Sequence, residues 1–123
     1  MKIAVLIARI LLGLVFVVFG LNIYFHFIPN QPVPGDAGVL AVLMFQHWWF
    51  HFYGVLYLVG GLLLLIGRYV PLGLTLLGPI IVNILLFHIT LQPAGIGPGL
   101  VCAVLEVFLI YAYRPAFRGI FSA

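Results

Sequence analysis

Charge is what this sequence has least of. Asp, Glu, Lys and Arg make up 6% of its 123 residues, where a soluble domain carries about 25%. So few charges cannot cover a water-facing surface, which excludes an ordinary soluble domain. The basic residues number 5 and form no cluster, which excludes the electrostatic footprint of nucleic-acid binding. The acids number 2, Asp36 and Glu106. The single cysteine, Cys102, can form no internal disulfide and reads as a small buried residue in an apolar run. What fills the chain instead is apolar: 66% of the residues are hydrophobic. Met1-Lys2 and the run after them are built like a signal peptide. No small-residue cleavage site follows, so the run reads as an uncleaved first membrane helix.

A spanning helix needs about 20 apolar residues, and the sequence offers four such runs, at 3–25, 47–66, 72–91 and 99–113. Turn residues separate them: Pro29, Pro32, Pro34 and Gly35, then Gly67 to Pro71, then Pro93, Gly95, Gly97 and Pro98. Pro79 falls inside the third run, where membrane helices tolerate it. The expected fold is all-α, a single domain over 1–123 forming an integral membrane bundle of four transmembrane helices. The outer connection, 26–46, contains an apolar stretch, 37–45, too short to span and suited to lie in the interface as a lid.

With four crossings, Lys2, Arg9, Arg68, Arg114 and Arg118 all fall on one side, and the first and third connections carry no basic residue. The positive-inside rule then places both termini and Arg68 in the cytoplasm, with the chain in the plasma (inner) membrane. His26, His47, His51 and His88 fall at the opposite, outer ends.

Spans 1 and 3 share an order of residues. One reads Arg9, Leu12-Gly13-Leu14, Asn22, His26; the other reads Arg68, Leu72-Gly73-Leu74, Asn83, His88. This order suggests two related helical hairpins, with Asn22 and Asn83 facing each other near the interior.

The segments ARILLGLVFVVFGLN and GGLLLLIGRYVPLGLTLLGPIIVNILLFH resemble the DoxX-like family of small four-helix membrane proteins. The resemblance covers nearly the whole chain and is strongest over 60–88. It implies a redox-associated protein, since some relatives are subunits of a thiosulfate:quinone oxidoreductase and others are linked to thiol or oxidative-stress chemistry. Two departures stand out. The family often carries a carboxylate just before the Gly-Gly pair, where this chain reads Tyr57-Leu58-Val59. It often carries a lysine after the GLN of the first span, where this chain has Ile23.

The few polar residues within the spans are the candidates for chemistry. Glu106, the one acid in a span, must face the interior and either find a partner or stay protonated. Arg9 is its expected ion-pair partner, because the two stand at similar depth when Lys2 marks the interface. Proton transfer beside a quinone competes with that structural role. His88 and Asn83 join Asn22 and Glu106 as a candidate pocket, since imidazole titrates near neutral pH; hydrogen bonding between helices is the plainer role for Asn83. His47 and His51, four apart, would share one face of a helix. With His26 they are weak metal candidates, and no metal site is favoured. Haem needs only one or two histidines but ranks, with metal, below quinone as a cofactor. The intervening Trp48 and Trp49 fit an aromatic belt.

The leading expectation is therefore a redox-associated integral membrane protein, quinone-facing or anchoring an oxidoreductase, with the lipid bilayer and a protein partner or second copy as its surroundings. A non-catalytic interaction or scaffold protein is the alternative, and a small-solute carrier ranks third. Whether the chain is an enzyme is left open. The topology has a direct check. In a Cys102→Ala background, Gly95→Cys is expected to react with a membrane-impermeant maleimide on intact cells and Tyr69→Cys is not. The reverse pattern inverts the orientation.

Overall fold

The computed structural model describes residues 1–28 and 33–122, apart from the side chain of Phe121. Among the described residues it is helical, without a strand. Helix α1 runs Lys2–Phe25, α2 Gly35–Gln46, α3 Trp49–Ile66, α4 Val70–Thr90, α5 Gly97–Ala112 and α6 Arg118–Phe121, with 3-10 turns at Pro93–Gly95 and Arg114–Phe117. Three of these, α1, α3 and α4, are long and apolar enough to cross a membrane. Helix α5, with 16 residues, joins them only if counted with the segment after it, from which it is bent by 84°. Of the prolines expected to end the first run, Pro29 and Pro32 lie outside the described residues.

The helix ends follow local chemistry. Helix α1 stops where His26 takes a left-handed conformation (φ 51°) and its N–H bonds the Asn22 carbonyl. Helix α3 stops at Gly67, whose φ of 78° is the usual left-handed glycine cap. The Arg9 guanidinium packs where a side chain at Gly67 would stand, so a Cβ there would be strained by the backbone and would also displace the arginine. Pro71 and Pro98 sit in the first turns of α4 and α5, where a missing N–H leaves no helical bond unmade. Helix α4 continues through Pro79, although the Thr75 carbonyl then lacks its helical donor.

The packing closes a ring. Helix α1 lies on α3 and α5, α4 also lies on α3 and α5, and α2 rests on α3. Neighbours run antiparallel, as their pairings show: Gly13 meets Gly61, and Gly20 meets Tyr57 and Leu58; Gly73 meets Gly60; Gly99 meets Ile84 and Leu85. A Cβ on Gly61 would stand 2.9 Å from the Gly13 carbonyl oxygen, and one on Gly73 would stand 3.0 Å from that of Gly60. Both neighbours of α3 thus reach it backbone to backbone through its Gly-Gly pair. Lipid is as apolar as leucine, so helix association depends on such close packing. The core supports it with regular stripes: Ala8, Leu12 and Phe16 on α1; Val70, Leu74, Leu77 and Ile81 on α4; Cys102, Glu106 and Leu109 on α5. The opposite faces are apolar and outward, with Val82, Val104 and Val107 more than 60% exposed, as lipid contact requires.

The crossing at Gly61 supplies a test. Gly61→Ala would press a methyl group on the Gly13 carbonyl and the Val17 backbone, neither of which can rotate away. The expected loss is about 1–3 kcal/mol, read as a lower melting temperature in detergent. Gly119→Ala, where nothing lies within 4 Å, is expected to leave that temperature unchanged.

Candidate functional site

A groove of about 820 Å³ lies at the histidine end of the packed helices, between α2, the first half of α3 and the second half of α4. Its walls are mainly apolar, with Leu40 and Met44 from α2, Phe50 from α3, and Ile84 and Phe87 from α4. Set into them are His47, Tyr53, Tyr57, Asn83, His88 and Thr90. Phe50, Tyr53 and Tyr57 follow helical spacing and so share one face of α3. The Tyr57 ring stands edge-on to buried Phe16 at 4.9 Å, which fixes its orientation. Phe50 stacks on Phe45 of α2 at 4.3 Å and ties that short helix to the groove.

His88 is held from its own helix. Its Nδ1 lies 2.7 Å from the Ile84 carbonyl oxygen. A carbonyl only accepts, so Nδ1 donates and the neutral ring keeps Nε2 as an acceptor. The Pro93–Gly95 turn lies beside that edge, where a Cβ on Gly95 would stand 3.3 Å from Nε2, but Nε2 is not shielded from its surroundings. Asn83 lines the same groove but is exposed. Of the four residues expected to form a pocket, His88 and Asn83 come together, whereas Asn22 and Glu106 lie elsewhere. The Asn22 Oδ1 accepts the Ile28 N–H at 2.8 Å, tying down the chain after α1. It does not face Asn83 as expected.

The expected Arg9–Glu106 pair does not form. Glu106 is buried (4% exposed), but both carboxylate oxygens lack a hydrogen-bond partner, as does the buried Nε of Arg9. The carboxylate sits beside α4, where a Cβ on Gly78 would be 3.3 Å from Oε2. Arg9 instead turns to Gly67, at the carbonyl end of α3, where a cation is favoured. Counting residues gives height along a helix and not the direction a side chain takes. The height also differs, for Arg9 lines a pocket with Ala112 to Arg114, about 9 Å below Glu106 at helical rise.

The histidine pair also departs from expectation. His47 ends α2, Trp48 takes a left-handed conformation (φ 70°), and α3 begins only at Trp49. His47 and His51 therefore do not share a helical face. His47 lines the groove, while the His51 ring lies against Trp48 at 4.5 Å and Tyr24 at 5.6 Å. The Tyr24 hydroxyl donates to the His51 carbonyl. The His26 ring meets Phe45 at 5.9 Å. Among the described residues no three His, Cys, Asp or Glu side chains gather as metal ligands would. Both tryptophans are exposed, Trp48 by 70% and Trp49 by 56%, and Trp49 also lines the groove. Tyr53, Tyr57 and Thr90 are the polar groove residues that sequence reasoning missed. For the two tyrosines, the spacing from Phe50 was the available signal.

The chain matches no protein-family model, no curated protein and no solved structure.

Glu106 gives the sharpest stability test. A buried polar group without a partner costs about 1–3 kcal/mol, so Glu106→Met, similar in length and apolar, is expected to raise the melting temperature by a corresponding amount. A lower melting temperature would instead show that the carboxylate holds the fold together.

Proposed function

We propose that this chain is an integral membrane protein of DoxX-like type whose groove receives the ring of a quinone, making it a quinone-facing subunit of an oxidoreductase. The observation that carries this reading is the groove's composition, mainly apolar walls from three helices with a few polar groups placed among them, as in sites for largely apolar ligands. The residues fit such a ring. The Nε2 atom of His88 would accept a hydrogen bond from a quinol hydroxyl, and the Tyr53 and Tyr57 hydroxyls and the Asn83 amide would donate to quinone carbonyls. Leu86 lines the groove and is 57% exposed, so the site adjoins the lipid-facing surface from which such a ligand comes. A bound quinone would supply two-electron, two-proton chemistry; these side chains would bind and orient its ring, and a partner subunit would supply the electron route. The segregation of the five basic residues supports the plasma membrane as location, with both termini cytoplasmic and the groove outside.

One feature favours a second reading, a non-catalytic interaction protein. The positions where the DoxX-like pattern often carries a lysine and a carboxylate hold Ile23 and the Tyr57-Leu58-Val59 stretch. Ile23 is buried and Val59 faces outward, so the one polar group at either position is the Tyr57 hydroxyl, which carries no charge.

Purification in mild detergent separates the two. On the leading reading quinone is extracted with the protein. A short-chain quinone then quenches tryptophan fluorescence saturably, because Trp49 lines the groove. Tyr57→Phe and His88→Leu are each expected to weaken that binding by roughly tenfold, the loss of one well-placed hydrogen bond. Copurification of a protein partner with no quinone and no saturable quenching would favour the interaction module.

A further inference from the structure

At the opposite end, a pocket of about 500 Å³ opens between the first turns of α1 and the junction of α5 with the Arg114–Phe117 turn. Lys2 and Arg9 line it from α1, and Arg114 lines it from across, with Val5, Leu6 and Tyr113 between them. Three of the chain's five cations therefore share one pocket, and among the described residues no acid lines it. Asp36 belongs to α2 at the far end, and Glu106 is turned toward Gly78.

The cations are prepared rather than satisfied. The Arg9 side chain is half-buried, and its Nε is shielded from solvent without a hydrogen-bond partner. Arg114 is steadied by Tyr111: its guanidinium carbon lies 4.3 Å from the ring centroid, and one terminal nitrogen donates to the Tyr111 carbonyl at 2.9 Å. Its other N–H groups remain to donate. Like charges lining one pocket repel, and an anion among them would reduce the repulsion. Guanidinium forks match phosphate oxygens in geometry. The wall beside them is apolar and open, with Leu6 45% exposed, as an acyl chain below a headgroup requires.

We propose that this pocket binds a phosphate-bearing anion through Lys2, Arg9 and Arg114. Basic pockets between membrane helices hold lipid headgroups in this way. The site is independent of the groove and of any quinone.

Thermal unfolding of the full chain in a non-ionic detergent tests the assignment, with phosphatidylglycerol, phosphatidylcholine and inorganic phosphate as separate additives. Phosphatidylglycerol is expected to raise the melting temperature and phosphatidylcholine is not, because only the former carries net charge. Arg9→Gln and Arg114→Gln are each expected to weaken the response by roughly fivefold to tenfold in midpoint concentration. Arg68→Gln, exposed and outside the pocket, is expected to leave it unchanged. Arg114 is exposed, so its variant remains informative should Arg9→Gln fold poorly. A lipid response without a phosphate response assigns a headgroup site; an equal phosphate response with the same variant dependence assigns a free-anion site. Equal stabilisation by the two lipids, or equal weakening by Arg68→Gln, would overturn the proposal.

Discussion

The arrangement depends on one constraint: α3 must touch two helices with its bare backbone. Gly61 lies on Gly13 of α1, and Gly60 lies on Gly73 of α4. In water, burying the apolar stripes would drive these contacts. Surrounded by lipid, the same stripes gain nothing from leaving their surroundings, and association depends on how closely the backbones approach. The two glycines adjoin in sequence, so they point about 100° apart around the helix axis, which is one turn divided by 3.6 residues. One dipeptide can therefore meet a neighbour on each side. Once α1 is set against α3, the other pairings along that seam follow, with Gly20 at Tyr57 and Leu58, and Gly54 under the Tyr24 ring.

The seam also shapes the groove. Phe16 of α1 meets the Tyr57 ring edge-on and so fixes Tyr57 at the base of the α3 wall. Helix α2 then lies on α3 through Phe45 and Phe50, and the left-handed turn at Trp48 lets the chain reverse between the two helices. His47 is thereby directed to the groove while His51 stays with Tyr24 and Trp48. The groove's polarity is sparse and distributed over several elements, which suits a ligand that is mostly apolar with a few polar atoms.

Charge is divided along the helices. Cations collect at one end and histidines at the other, and Glu106 stands between them in the buried stripe of α5. Its neighbours in that stripe, Cys102 and Leu109, are as buried as it is. Nothing in the packing calls for a carboxylate there. Arg9, at the cationic end, is half-buried and likewise has a shielded, unpaired Nε, and it lines the pocket there.

The sequence by itself determined the class of the molecule. A chain with 66% hydrophobic residues in runs of spanning length leaves long apolar helices as the consistent outcome, because backbone groups in lipid must bond within their own segment. Glycine and proline marked most of the breaks. Glu106 was legible as buried because a lone acid in an apolar run has no tolerable outward position. Tertiary structure decided which polar groups meet. Residue counting set Arg9 level with Glu106, but the inward turn of each helix depends on packing against neighbours, and Arg9 went to Gly67. The spacing of His47 and His51 implied a common face only if one helix held both, and a single left-handed residue between them ended that premise. The groove itself joins residues from 40 to 91, drawn from three helices, of which α3 and α4 are set against each other by Gly60 and Gly73 and α2 is held on α3 by Phe45 and Phe50.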